Sequence, residues 1–142
     1  MKRKQVTFED YEQLMNQRYY ALLFAKEPEI VEQFYCDLMI AEIVEESDSP
    51  TNLVKMNSHL VVKDKKSGKL AGLKLVFPRE VKDHSSISVF SPIGSALFGK
   101  TVGDQVSIDF NGETKAFEIL KVFPDTKSKV KIMFPRITVF GN

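Results

Sequence analysis

Sulfur chemistry is nearly absent from this chain: one cysteine, Cys36, stands in 142 residues. A single thiol closes no internal disulfide, and no histidine or second cysteine stands at metal-ligand spacing from it. Disulfide scaffolds and zinc modules are therefore excluded, and a reducing cytoplasm is the expected compartment. Cys36 is expected to be an inert helix-face residue, buried as free cysteines usually are. No apolar run approaches the roughly 20 residues that a membrane span requires, and the basic start Met1 to Lys4 is not followed by the apolar segment of a signal peptide. Neither export nor a membrane partner is expected.

Catalytic groupings are equally scarce. Of two histidines, His59 falls in a strand pattern and His84 in a polar loop beside Asp83, Ser85 and Ser86. That spacing defines no nucleophile, base and orienting group, so no catalytic residue and no metal site are assigned. Gly94 to Thr101 does satisfy G-x-x-x-x-G-K-[ST], in which Lys100 would reach terminal phosphates and Thr101 would hold magnesium. The phosphate loop requires its Lys and Thr to open a helix. Here Ser91 is a good N-cap and Pro92 a good first residue, so a short helix is expected from Pro92 to Phe98, stopped by Gly99, with Lys100 and Thr101 after it. A chance match is the expected outcome, and the chain is read as a non-enzyme that needs no cofactor.

What is present is enough for a sizeable core: 43% of residues are apolar and 11 are Phe. The formal net charge of +1 hides an asymmetry. Residues 1–48 hold 5 basic and 11 acidic side chains, net −6, and residues 49–142 hold 15 and 8, net +7. The two ends are thus suited to differently charged partners. Lys55, Lys63, Lys65, Lys66, Lys69, Lys74, Arg79 and Lys82 cluster around the first two predicted strands. No aromatics interleave with them on strands as in RNA-binding sheets, so weak nucleic-acid contact is a secondary expectation.

Periodicity divides the chain near Ser47 to Asn52, a polar run containing Pro50. Before it, Thr7 caps a first helix with Asp10 three residues on, and Phe8, Tyr11, Leu14, Met15, Tyr19 and Leu22 recur at helical spacing. After Ala25 to Pro28, a second helix carries Ile30, Val31, Phe34, Tyr35, Leu38 and Ala41 to about Glu46. Together they predict a short, coiled-coil-like antiparallel hairpin over residues 1–49, its arms about 15 to 18 residues or roughly 22 to 27 Å long, with the aromatic stripe as its inner face. Residues 50–142 change period. Strands are expected at His59 to Lys63, Leu70 to Phe77, Ile87 to Phe90, Gln105 to Phe110 and Lys115 to Val122, the last two joined at Asn111-Gly112. The fold class is α+β: a helical hairpin, then a twisted antiparallel sheet packed on one short helix. Residues 126–142 add one or two tail strands, which either close the chain's own sheet edge or pair with a second copy, so monomer and weak dimer both stay open.

Three motifs carry a family resemblance: Val54 to Ser58 (Val-Lys-Met-Asn-Ser), Leu75 to Pro78 (Leu-Val-Phe-Pro), and Ile87 to Asp104 with its Ser-Pro, Ala-Leu-Phe-Gly and Val-Gly-Asp. Over about Leu53 to Pro124 the chain resembles the C-terminal domain of the GreA/GreB transcript-cleavage factors, and most of all their Rnk branch, the regulators of nucleoside diphosphate kinase. The resemblance implies an FKBP-like domain that docks on bacterial RNA polymerase at the rim of its secondary channel, with the helical hairpin pointing inward. It implies a polymerase contact through Phe90, Ser91 and Pro92, where Phe90 replaces the acidic residue often found before the Ser-Pro. It also brings attention to Glu27 and Glu29 at the hairpin tip, where Gre factors carry acidic residues that help hold a catalytic magnesium. The arms here are about half the length of the Gre coiled coil at helical rise, so the expectation is a channel-binding regulator of elongation that does not stimulate cleavage, with a cleavage-stimulating elongation factor as the alternative and a nucleotide-binding enzyme through Gly94 to Thr101 behind both.

Overall fold

A computed structural model describes residues 3–123; the tail strands expected at 126–142 lie outside those residues. The chain enters through a three-residue strand, β1 (Gln5–Thr7). Thr7, still extended, caps α1 (Phe8–Asn16), its Oγ1 accepting the Asp10 N–H at 3.2 Å. This satisfies one of the orphan donors of a helix start. The helix stops at Gln17, whose φ of −97° and ψ of 2° lie outside the helical well, and restarts as α2 (Arg18–Leu23). Pro28 opens α3 (Pro28–Met39), a position where its missing N–H costs nothing.

These helices differ from the predicted pair of arms. They hold 9, 6 and 12 residues. The second arm does not run on to Glu46 but ends at Met39, because the next residues form β2 (Glu42–Val44), which pairs in parallel with β1. Parallel strands need a crossover between them, and α1 to α3 are that crossover. The junction is fastened by the Glu42 N–H donating to the Lys4 carbonyl at 2.8 Å and by the Arg3 Nε donating to the Ile40 carbonyl at 3.0 Å. The predicted inner stripe is only partly inside. Leu14 is buried and Tyr11, Met15 and Leu22 pack against the core, but Phe8 and Tyr19 are exposed. Cys36, expected inside, lies exposed on α3.

A polar stretch then leads to a five-stranded sheet of β3 (His59–Asp64), β4 (Leu70–Val76), β5 (Ser86–Ser88), β6 (Gln105–Phe110) and β7 (Glu113–Phe123). Their order is β5-β4-β3-β7-β6. Pairing is antiparallel except between β4 and β5, which run parallel, so the sheet is mixed where a wholly antiparallel one was expected. The β6–β7 hairpin turns at Asn111 and Gly112, both at positive φ, as a two-residue turn matched to strand twist requires. A register shift at Val61/Val62 in the β3–β7 ladder adds local twist.

Alternation decides the faces. Leu60, Val62, Leu73, Leu75, Phe117 and Ile119 point inward, and Lys63 and Lys74 occupy the opposite face by register. Against the inner face lies α4 (Pro92–Leu97), with Leu97 and Phe98 almost fully buried. Leu14, Val31, Phe34 and Leu38 of the helical crossover belong to the same buried cluster. At about 1.5–3 kcal/mol for each fully buried large apolar side chain, this shared core contributes most to holding helices and sheet together.

Candidate functional site

The Ser-Pro segment is built by a cap. Ser91 stays extended at φ −79°, ψ 161°, as an N-cap does, and its Oγ accepts the Gly94 N–H at 3.0 Å while donating to the Ser88 carbonyl at 2.7 Å. One hydroxyl thus ends β5 and starts α4. Pro92 follows as the first helical residue, half-buried like Ser91. The fold tolerates only glycine at position 94, since a Cβ there would come within 2.0 Å of the Ser88 carbonyl oxygen.

Phe90 points into the helices. Its ring meets Phe34 edge-on at 5.2 Å and lies 5.9 Å from Tyr35, and Phe34 also touches Phe98 at 5.6 Å. Edge-to-face contacts of this kind add to the burial of the rings themselves. The Tyr35 hydroxyl donates to the Leu14 carbonyl at 2.7 Å, and burial pushes its pKa up to about 12. An aromatic residue where an acid often stands is thus explained by what it touches, because a carboxylate facing Phe34 would lie unpaired among rings.

A cation also packs against the cluster. Lys4 Nζ donates to the Ser95 carbonyl of α4 and sits 5.6 Å from the Phe34 ring centroid, within cation–π range. Burial lowers its pKa from 10.5 to about 8, partly offset by Asp37. Behind it, the Gln5 N–H donates to the Gly99 carbonyl at 3.1 Å, and Gly99 and Lys100 exchange backbone bonds with Val54. Gly99 has φ of +80° and would bring a Cβ to 2.8 Å from that of Lys4. The loop after α4 is therefore wedged between β1 and residues 53–54.

That wedge settles the geometry of the phosphate-loop pattern. The helix precedes Lys100, and Thr101 leads through a turn into β6. Thr101 N and Oγ1 both donate to Asp104 Oδ2, at 2.8 and 3.1 Å, and Thr101 bridges to Leu53. No helix N-terminus opens at Lys100 to face a phosphate. In the loop before β5, Asp83 accepts from the Ser85 hydroxyl at 2.7 Å, which holds the carboxyl below its usual range. The Ser85 hydroxyl is thereby turned toward Asp83. Among the described residues no group of three or more His, Cys, Asp or Glu could hold a metal ion, and no helix is long and apolar enough to cross a membrane.

At the far end of the helices, Glu27 immediately precedes α3 and Glu29 lies in its first turn; both are exposed. Among the described residues no hydrogen bond or ion pair joins Glu27 or Glu29 to Phe90, Ser91 or Pro92. Of the predicted basic residues, Lys55 pairs with Glu46 and Lys65 with Glu118, each at 3.3 Å.

Two features went unread in the sequence. Asp10, expected to complete a capping box, instead sends Oδ2 to accept the Met56 N–H at 3.0 Å. Burial raises its pKa to about 6, against the lowering effect of that bond, with Glu46 and Glu9 raising it further and Lys55 lowering it. It borders a cleft of about 480 Å³ lined also by Glu12, Glu46, Lys55 and Asn57. The second feature is α2, whose Tyr19, Tyr20 and Leu23 are exposed, with Phe24 just after it. The run Tyr19 to Phe24 is apolar on more sides than one stripe can bury, a signal the sequence did contain.

Residues 49–124 match the family "Transcription elongation factor, GreA/GreB, C-term", and the chain belongs to it. Among relatives, a transcription elongation factor GreA from Christiangramia forsetii is 36% identical over 84 residues, covering 58% of this chain and 53% of that protein. A regulator of nucleoside diphosphate kinase from Escherichia coli is 29% identical over 84 residues, 58% of this chain and 62% of the other. The matched region thus spans about half the length of the GreA relatives. A solved structure, the prokaryotic transcription elongation factor GreA/GreB from Nitrosomonas europaea, superposes with a TM-score of 0.72 at 26% identity, over 86% of this chain and all of that one.

Proposed function

We propose that this chain binds bacterial RNA polymerase at its secondary channel and regulates elongation there without stimulating transcript cleavage. Family membership over residues 49–124 supports the partner. One observation carries the rest: α3, the longest helix of the crossover, has 12 residues, about 18 Å at helical rise, and the opposing arm is interrupted at Gln17. A tip carried on such short helices stops well short of what a long coiled coil reaches, so Glu27 and Glu29 serve as exposed charges at a helix start, where negative charge is favoured. Phe90 acts through packing, holding Ser91 and Pro92 at the surface against the helices. The contact with polymerase is then made by the Ser-Pro turn and by the helical end of the molecule.

The test is cleavage of backtracked transcripts by core polymerase. Added alone, the chain is expected to leave cleavage at its intrinsic rate; added with a Gre factor, it is expected to suppress the stimulated rate in a dose-dependent way. Stimulation by the chain alone, lost on Glu27→Gln/Glu29→Gln, would overturn the non-cleaving assignment.

A further inference from the structure

The helical crossover carries an unassigned run of exposed aromatic and apolar side chains. Tyr19, Tyr20, Leu23 and Phe24 are 88%, 69%, 76% and 69% exposed, although the same chain buries Phe34, Leu38 and Phe98 almost completely. Burying such side chains is worth about 1.5–3 kcal/mol each, and contiguous exposed apolar groups of this size mark interaction sites. Two of them are already ordered: the Tyr20 and Phe24 rings stack at 5.9 Å with an interplanar angle of 20°. A stacked pair loses little conformational freedom on binding, which is the property of an anchoring group.

Charge decides what covers it. The segment that carries the patch, residues 1–48, has a net charge of −6; the exposed Arg18 and Lys26 bracket the patch in sequence, and the exposed Glu27, Glu29 and Glu32 follow Lys26 and outnumber them. Nucleic-acid strands that stack on aromatics also need a basic groove for their phosphates, and anionic membrane surfaces likewise attract Lys and Arg. The acidic excess of this segment disfavours both. It fits a protein groove with an apolar floor and a cationic rim.

We infer that Tyr20 and Phe24 are the anchor by which the helical end seats in a basic-rimmed apolar pocket of the polymerase, with Glu27, Glu29 and Glu32 steering it there. The inference rests on the polymerase reading above and extends it: the aromatic pair, not the tip carboxylates, supplies the holding energy. Steering charges act on the association rate and weaken with salt, whereas a buried anchor acts on dissociation.

The experiment is stopped-flow and equilibrium binding of the full chain to bacterial core RNA polymerase, with wild type, Tyr20→Gln/Phe24→Gln and Glu27→Gln/Glu29→Gln. Gln keeps the helix propensity, and unchanged thermal melts will verify folding; Tyr19→Gln/Leu23→Gln is the second variant should the first melt early. The aromatic double variant is expected to bind at least about 30-fold more weakly through faster dissociation, and the Glu variant to associate several-fold more slowly with a flatter salt dependence. If wild type does not bind, the polymerase reading and this inference both fall. If wild type binds and neither aromatic variant loses affinity, only this inference falls. A dimer in sedimentation that the aromatic substitutions dissolve would make the face a contact between copies of the chain, and would equally overturn it.

Discussion

Asp10 shows how one side chain couples two parts of the chain. Its carboxylate holds the Met56 N–H from a mostly buried position, with a pKa near 6. That value lies above the unfolded one of 3.8, so the stabilisation from its protonation is fully present below pH 3.8 and lost as pH rises through 6. The difference amounts to about 3 kcal/mol. Asp10→Asn keeps an acceptor for Met56 without the buried charge. The variant is expected to melt higher than wild type at pH 7.5 and to converge with it at pH 4, as followed by circular dichroism; a pH-independent gap would refute the assignment. Gly94→Ala is expected to destabilise by about 3 kcal/mol or more, because the obstacle to its Cβ is a backbone oxygen in a cap and not a pliable side chain. A chemical denaturation midpoint unchanged from wild type would show that α4 starts elsewhere. Tyr35→Phe removes a donor to the Leu14 carbonyl and is expected to cost about 1 kcal/mol in the same measurement.

Elements differ in how plainly the sequence announces them. The strands at 59–64, 70–76 and 105–110 are legible within a residue or two, because alternation and the Asn111-Gly112 turn point the same way. So is α4, through Ser91 and Pro92. The three-residue strands β1 and β2 carry no measurable period, and Ile40 to Val44 extends the helical apolar spacing by coincidence until pairing with β1 takes it into a strand. No Gly or Pro marks the break at Gln17. The parallel placement of β5 depends on the path of residues 77–85, which propensity does not record. In the candidate site, Ser91 and Pro92 were readable as a cap, whereas the Phe90–Phe34 contact joins residues far apart in sequence and is visible only in three dimensions. Phe34→Ala is expected to cost about 3–5 kcal/mol. Because α3, α4 and Phe90 share that ring, loss of the far-ultraviolet helical signal and of the tertiary signal should remain coincident on melting. Separate transitions would show that the helical crossover folds independently of the sheet.

The molecule as a whole is a short acidic helical crossover fastened to a basic sheet domain by Lys4, the loop after α4 and one aromatic cluster. Family membership identifies the kin of residues 49–124; the helices before them are short, broken at Gln17 and aromatic at an exposed end. Under the proposed function, a regulator built this way would hold a site on polymerase and deny it to factors that reach farther. Fluorescence anisotropy of the labelled chain against bacterial core RNA polymerase, repeated with excess Gre factor, tests that role in one titration. Saturable binding that the Gre factor displaces and that rising salt weakens is the expected result. Binding unaffected by the competitor would place the chain elsewhere on the enzyme, and no binding at micromolar concentrations would contradict the polymerase role altogether.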